Sequence, residues 1–121
     1  MVKQGAIIWL DFEPGSFALT GSLEVPQIGH EQKGRRPALV VSNDTFNNFS
    51  KLAIVCPITN VDKNHPFHIK LNGKTKTTGI VLCDQVRTLD IHARNYEIIE
   101  SIPEEILHEV IDIVYGFIET G

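Results

Sequence analysis

Cysteine is scarce: Cys56 and Cys83 are the only two in 121 residues, each closing an apolar run, Ala53-Ile54-Val55-Cys56 and Ile80-Val81-Leu82-Cys83. That excludes a small domain stapled by many disulfides and predicts two reduced thiols packed as small hydrophobes, with a single bridge between them as the lesser alternative. No Cys or His pair stands at zinc-ligand spacing, so the sequence predicts no metal and no cofactor. Long apolar runs are missing too: none approaches the roughly 18 residues of a membrane span, and no charged stretch followed by an apolar one opens the chain. The expectation is a cytoplasmic protein with no membrane partner. There is no internal repeat and no low-complexity tract, and the length suits one hydrophobic core, hence one domain over residues 1–121.

Net positive charge is also absent, the formal balance being −4, which at first argues against a polyanionic partner. The distribution reverses that reading. From Lys33 to Lys76 the cations are Lys33, Arg35, Arg36, Lys51, Lys63, Lys70, Lys74 and Lys76, against only Asp44 and Asp62. From Asn95 onward there is no Lys or Arg, while Glu97, Glu100, Glu104, Glu105, Glu109, Asp112 and Glu119 make the tail acidic. Phosphate affinity follows the local cation cluster, so an acidic chain can carry an RNA-binding face. Unevenly charged solvated surface is the plainer alternative.

Short apolar segments bounded by turn residues read as strands: Ala6–Phe12, Pro37–Ser42, Leu52–Thr59, Phe67–Leu71, Gly79–Leu82 and Tyr96–Ile99. Asn43-Asp44, Asn47-Asn48, Asp62-Lys63-Asn64 and Asn72-Gly73-Lys74 read as the turns between them. Such spacing indicates a small barrel or sandwich. The period then changes. Ser101-Ile102-Pro103-Glu104 fits a capping box, and Ile106, Leu107, Val110, Ile111, Val114, Phe117 and Ile118 recur at helical spacing, which predicts a C-terminal helix closing the barrel or meeting a second subunit. The connection from Gly15 to Ile28 is long for a compact domain and reads as a hairpin over a groove or as a mobile insertion.

The segment Gly29-His30-Glu31-Gln32-Lys33-Gly34-Arg35-Arg36-Pro37 runs into the strand Ala38-Leu39-Val40-Val41-Ser42, placing a carboxylate, an amide and three cations at a strand mouth. These residues suit the binding and cleavage of a phosphodiester. A metal-free ribonuclease needs a base for the 2′-hydroxyl, donors for the phosphorane and an acid for the leaving oxygen. Arg36 offers a planar fork for two phosphate oxygens, Thr59 a hydroxyl donor at a strand end, Glu31 a proton acceptor and Gln32 an orienting amide. Their plain alternatives are a loop pin for Arg36, a turn cap for Thr59 and a pairing with Arg35 for Glu31. His65 and His68 are placed on opposite faces of an extended segment, a poor metal site; His30 and His65 read as groove or surface residues, and His108 as structural.

Ile-Ile-Trp-Leu-Asp-Phe-Glu-Pro (7–14), Gly-His-Glu-Gln-Lys-Gly-Arg-Arg-Pro-Ala-Leu-Val-Val-Ser (29–42), Cys-Pro-Ile-Thr (56–59), His-Pro-Phe (65–67) and Asp-Gln-Val-Arg-Thr-Leu-Asp (84–90) together resemble the MazF/PemK toxin family, in order and spacing, over nearly the whole chain. The resemblance implies a mainly β, SH3-like small barrel (PemK/CcdB-like) with a C-terminal α-helix, acting as a homodimer. It implies a sequence-specific endoribonuclease of a type II toxin–antitoxin pair that cleaves single-stranded RNA, mostly mRNA, without metal. The ends left are a 2′,3′-cyclic phosphate and a 5′-hydroxyl, and a cognate antitoxin protein neutralises the activity. By position, the family's catalytic arginine and threonine fall on Arg36 and Thr59, and the glutamate of its Gly-x-Glu-Gln on Glu31. Asp84, Gln85 and Arg87 match the element beside the RNA groove, and Gln32, Lys33, Arg35 and His65 join them as expected RNA contacts. The enlarged loop at 15–28 departs from many relatives. Two other readings stay open: a protein-directed inhibitor like the CcdB gyrase poisons, against which stands the lack of a tryptophan-bearing C-terminal tail, and a non-catalytic RNA-binding barrel.

Overall fold

The structure, a computed structural model, describes residues 1–12 and 34–121. The expectations for Gly15 to Ile28, His30, Glu31, Gln32 and Lys33 lie outside the described residues. The described strands are β1 (Ala6–Asp11), β2 (Arg35–Val40), β3 (Ala53–Thr59), β4 (His68–Lys70), β5 (Ile80–Leu82), β6 (Arg87–Leu89) and β7 (Glu97–Ser101). They form one antiparallel sheet in the order β4-β5-β3-β2-β1-β7, with β6 also on β3. Helix α1 (Asp44–Ser50) follows β2, and α2 (Glu104–Ile118) ends the chain.

The run Ala-Ile-Ile-Trp-Leu is continuously apolar because both faces of β1 are covered. One face holds Ile8, Leu10, Phe12, Ala38, Val40, Val55, Leu89 and Ile91 in the barrel interior. The other presents Ile7, Leu39, Cys56, Ile58 and Val81 to Ile106, Leu107 and Val110 of α2. Fully burying one such side chain is worth about 1.5–3 kcal/mol, so α2 is held by its apolar stripe rather than by a cap. The sheet is open between β4 and β7, and with its C-terminal helix it is the mainly β, small-barrel-like fold that the resemblance implied. Both thiols are free and buried, and burial pushes each up to about 12.

β3 organises the sheet. One edge pairs with β2; the other is shared, β6 taking Ala53 to Val55 and β5 taking Ile58 and Thr59. The 2.9 Å bond from Val41 N–H to Ile54 O sets the ladder's phase, which turns the Pro57 nitrogen away from β2 into the gap between β6 and β5. A missing N–H there leaves no ladder bond unmade.

Three local expectations are corrected. Asn43-Asp44 and Asn47-Asn48 are not inter-strand turns: Asn43 caps α1 by accepting from Phe46 N–H at 2.8 Å, and Asn47 is buried, donating to Val2 O and Ser42 O. Ser101 is not a helix cap, because it is committed to β7 opposite Ala6; Pro103 occupies the cap position without a side-chain bond. The segment at His65 is not extended, since His68 N–H donates to His65 O at 3.0 Å and the strand starts only at His68.

Candidate active site

Strand register brings together the two residues expected to act on phosphate. Leu10 stands opposite Arg36; the β2–β3 ladder ends at Ala38↔Pro57, and the same register continued two residues further places Arg36 across from Thr59. Thr59 in turn pairs with Ile80, and Ile80 with Lys70. Residues opposite one another in a ladder share a face, at roughly 5 Å between Cβ atoms, so one transverse row holds a guanidinium, a hydroxyl and, two strands on, an ammonium. Arg36 is exposed and Thr59 half-buried.

Thr59 Oγ1 accepts from Val61 N–H at 3.2 Å, which leaves its proton free for an outside acceptor. It borders a cleft of ≈ 470 Å³ with Trp9, Pro37, Asn60 and Lys76. The wall formed by residues 76–78 is fixed by Glu100, which accepts from Lys76 N–H, Thr77 N–H and Thr77 Oγ1. Burial raises the Glu100 carboxyl, but these bonds outweigh it and hold the group below the ordinary glutamate value. Gly79 is the residue sequence reasoning missed. Its φ is +128°, and a Cβ there would lie 2.6 Å from Thr59 O, so the close seating of β5 on Thr59 depends on glycine.

The other expected site residues separate into two groups. Arg35 is tied at the rim by Asp11 (3.0 Å) and Glu97 (3.1 Å). Asp11 also accepts from Asn95 at 2.9 Å, the largest influence lowering its carboxyl; burial opposes it and Arg35 adds to it. The same strand end is held by Arg94, which donates to Asp11 O and Phe12 O. Arg87 lies with its guanidinium 4.9 Å from the Phe12 ring, a cation–π contact, while its backbone pairs with Val55 of β3. Lys70 and Lys74 pair with Asp62 and Glu105, so part of the central basic excess is neutralised within the fold.

A second cluster forms where the turn corrected above meets a short 3-10 turn, Cys83–Gln85. His65, His68 and Asp84 each place a ligand-type atom within 4.8 Å of the others. His68 Nε2 lies 3.3 Å from Asp84 Oδ1, and the His65 and His68 rings are 4.9 Å apart. The sequence placed these histidines on opposite faces; the turn at Pro66 is what folds them together. His68 Nδ1 is buried with no partner among the described residues, so the neutral ring carries its proton on Nε2, toward Asp84. Gln85 is exposed beside them.

The fold and the row at Arg36 and Thr59 define a small, mainly β domain with polar side chains gathered at one end of its sheet. Comparison with known proteins narrows the class. Residues 3–115 match the family model described as the PemK-like, MazF-like toxin of type II toxin–antitoxin systems. Endoribonuclease PemK of Escherichia coli is 42% identical over 105 residues, covering 84% of this chain and 77% of that protein. The E. coli K12 endoribonuclease toxin MazF is 34% identical over 90 residues, covering 74% and 69%. The crystal structure of MazF from Deinococcus radiodurans superposes with a TM-score of 0.76 at 34% identity, covering 96% of this chain and 94% of that one. A MazE–MazF complex from the same organism gives 0.76 at 28% identity, covering 99% and 97%. The chain belongs to the PemK/MazF family of type II toxin–antitoxin toxins.

Proposed function

We propose that this chain is the endoribonuclease toxin of a type II toxin–antitoxin pair, cleaving single-stranded mRNA through Arg36 and Thr59 to leave 2′,3′-cyclic phosphate and 5′-hydroxyl ends. The supporting observation is the β2–β3 register, which, extended two residues past Ala38↔Pro57, sets exposed Arg36 across from half-buried Thr59. Arg36 binds two non-bridging oxygens and gains strength as the phosphorane's charge develops; the Thr59 hydroxyl donates a hydrogen bond to one of the same oxygens and keeps its proton. No step needs a metal. Glu31 stands as the proton acceptor of the pair's chemistry, and Gln32, Lys33, Arg35, His65, Asp84, Gln85 and Arg87 as the residues that line the RNA path.

The active form is a homodimer in the cytoplasm. Its interface is the apolar groove of ≈ 370 Å³ between β6 and α2, lined by Val41, Ile54, Val86, Ile111, Val114 and Ile118. Ile118 is 72% exposed in the single chain, which the dimer relieves. A cognate antitoxin binds across the RNA face and suppresses cleavage, as the MazE–MazF pairing of the Deinococcus relative supports. The test is incubation of the purified protein with a long RNA in EDTA, followed by mapping of the ends. Cyclic-phosphate and 5′-hydroxyl ends at a recurring short word are expected; bound but intact RNA would overturn the enzymatic reading.

A further inference from the structure

His65, His68 and Asp84 play no part in the fold's cores, yet three elements converge to hold them: the turn at Pro66, the start of β4 and the 3-10 turn after β5. We propose that they form a binding site for a borderline divalent transition ion, with Zn2+ as the probe, outside the Arg36–Thr59 row.

Two imidazoles and one carboxylate are a donor set that zinc and its first-row neighbours take, whereas magnesium and calcium favour all-oxygen sites. The spacing is already close to ligation. Two ligands on one tetrahedral zinc, at about 2.0–2.1 Å each, stand about 3.4 Å apart. His68 Nε2 and Asp84 Oδ1 are 3.3 Å apart, and all three donor atoms fall within 4.8 Å of one another. Closure therefore needs roughly an ångström of side-chain movement, supplied by His65 on its exposed turn. His68 is the fixed point: its side chain is 9% exposed, and ligation through Nε2 moves its ring proton to Nδ1, which is buried with no partner among the described residues, a cost the metal bond must outweigh.

His65 Nδ1 accepts from Phe67 N–H at 3.2 Å, so in the neutral ring Nε2 bears the proton. Ligation by either nitrogen gives up the Phe67 bond, by Nε2 because the proton shifts to Nδ1 and by Nδ1 because its lone pair goes to the ion, and this lowers the affinity. Three protein ligands leave a fourth position for water, so the site is open rather than closed. The bound ion clips the segment before β4 to the turn after β5, and binding only the folded form, it stabilises by mass action.

Titration of EDTA-stripped, dialysed protein with ZnCl2 by calorimetry at pH 7.5, and with CoCl2 by absorption, tests this. One saturable site per chain is expected, with a cobalt spectrum of nitrogen and oxygen ligation, no thiolate band and a melting temperature that rises with zinc. His65→Ala, on the exposed turn, and Asp84→Asn each lower the affinity roughly tenfold or more, while His108→Ala, on α2, leaves it unchanged. Loss of zinc affinity in His68→Ala counts in favour only if its circular dichroism matches the parent. Absence of a saturable site, or full affinity in both His65→Ala and Asp84→Asn, overturns the proposal. The assay contains no RNA, so its failure leaves the ribonuclease reading untouched.

Discussion

Gly79→Ala is the sharpest test of how the fold positions Thr59. The new Cβ would lie 2.6 Å from Thr59 O and 3.0 Å from Ile58 Cγ2, at a backbone φ of +128°. An L-residue in that sparsely allowed conformation costs about 1–3 kcal/mol, and overpacking a fixed backbone atom about 1–3 kcal/mol more. Relaxation shares part of this, so about 2–4 kcal/mol is expected, a melting temperature lower by roughly 8–15 °C for a domain of this size. The displaced atom belongs to the strand end that carries the Thr59 hydroxyl, and a misplacement of about 1 Å costs about 100-fold in rate. Cleavage by the folded variant, measured under single turnover well below its melting temperature, should fall by about that factor. Gly73→Ala is the control: its φ is +74° with nothing within 4 Å of the added Cβ, so it loses about 1 kcal/mol and keeps its rate. Equal cleavage rates for the two variants would refute the reasoning.

Acid lability follows from Asp11 and Glu100, whose carboxyls lie below their ordinary values in the folded protein. Each contributes stability that is fully present above its unfolded pKa and lost as pH falls through the folded one, so the melting temperature should hold level above about pH 5 and drop below about pH 4. Glu100→Gln should shrink that drop, as thermal melts across the range will show. Cys56 and Cys83, buried with thiols pushed up to about 12, should resist an aromatic disulfide reagent at pH 8 until denaturant is added. Leu107→Ala, which empties part of the contact between α2 and the sheet, should cost about 2–5 kcal/mol in urea denaturation.

The residues themselves show where the sequence was legible. The strands around Ile8, Leu39, Val55 and Val81 and the helix from Glu104 were readable because apolar patterning is local and each element buries what its pattern presents. Helix α1 was not, because its Asn43 and Asn47 carry the composition of a turn; the cap at Asn43 and the bond from buried Asn47 to Val2 O, far away in the chain, are tertiary facts that composition does not show. β6 escaped for a related reason: Arg87–Leu89 is a mixed polar segment whose strand character comes from lying against Ala53 to Val55. At the site, Arg36 and Thr59 were named from motif and residue chemistry, but their alignment is a property of β2–β3 register. The clustering of His65 with His68 was hidden by Pro66, which reads as extended and instead turns the chain. Gly79 carried no signal beyond its identity, since the need for it lies on Thr59, a strand away.

The central claim is that Arg36 and Thr59 act as one unit on the scissile phosphate. Single-turnover rate constants for the parent, Arg36→Ala, Thr59→Val and the double variant, on one RNA in EDTA, measure it directly. Each single variant should fold as the parent does and lose about 100- to 1000-fold in rate, and the double variant should lose little more than the worse single one. A folded Arg36→Ala or Thr59→Val protein cleaving at the parent's rate would contradict the account.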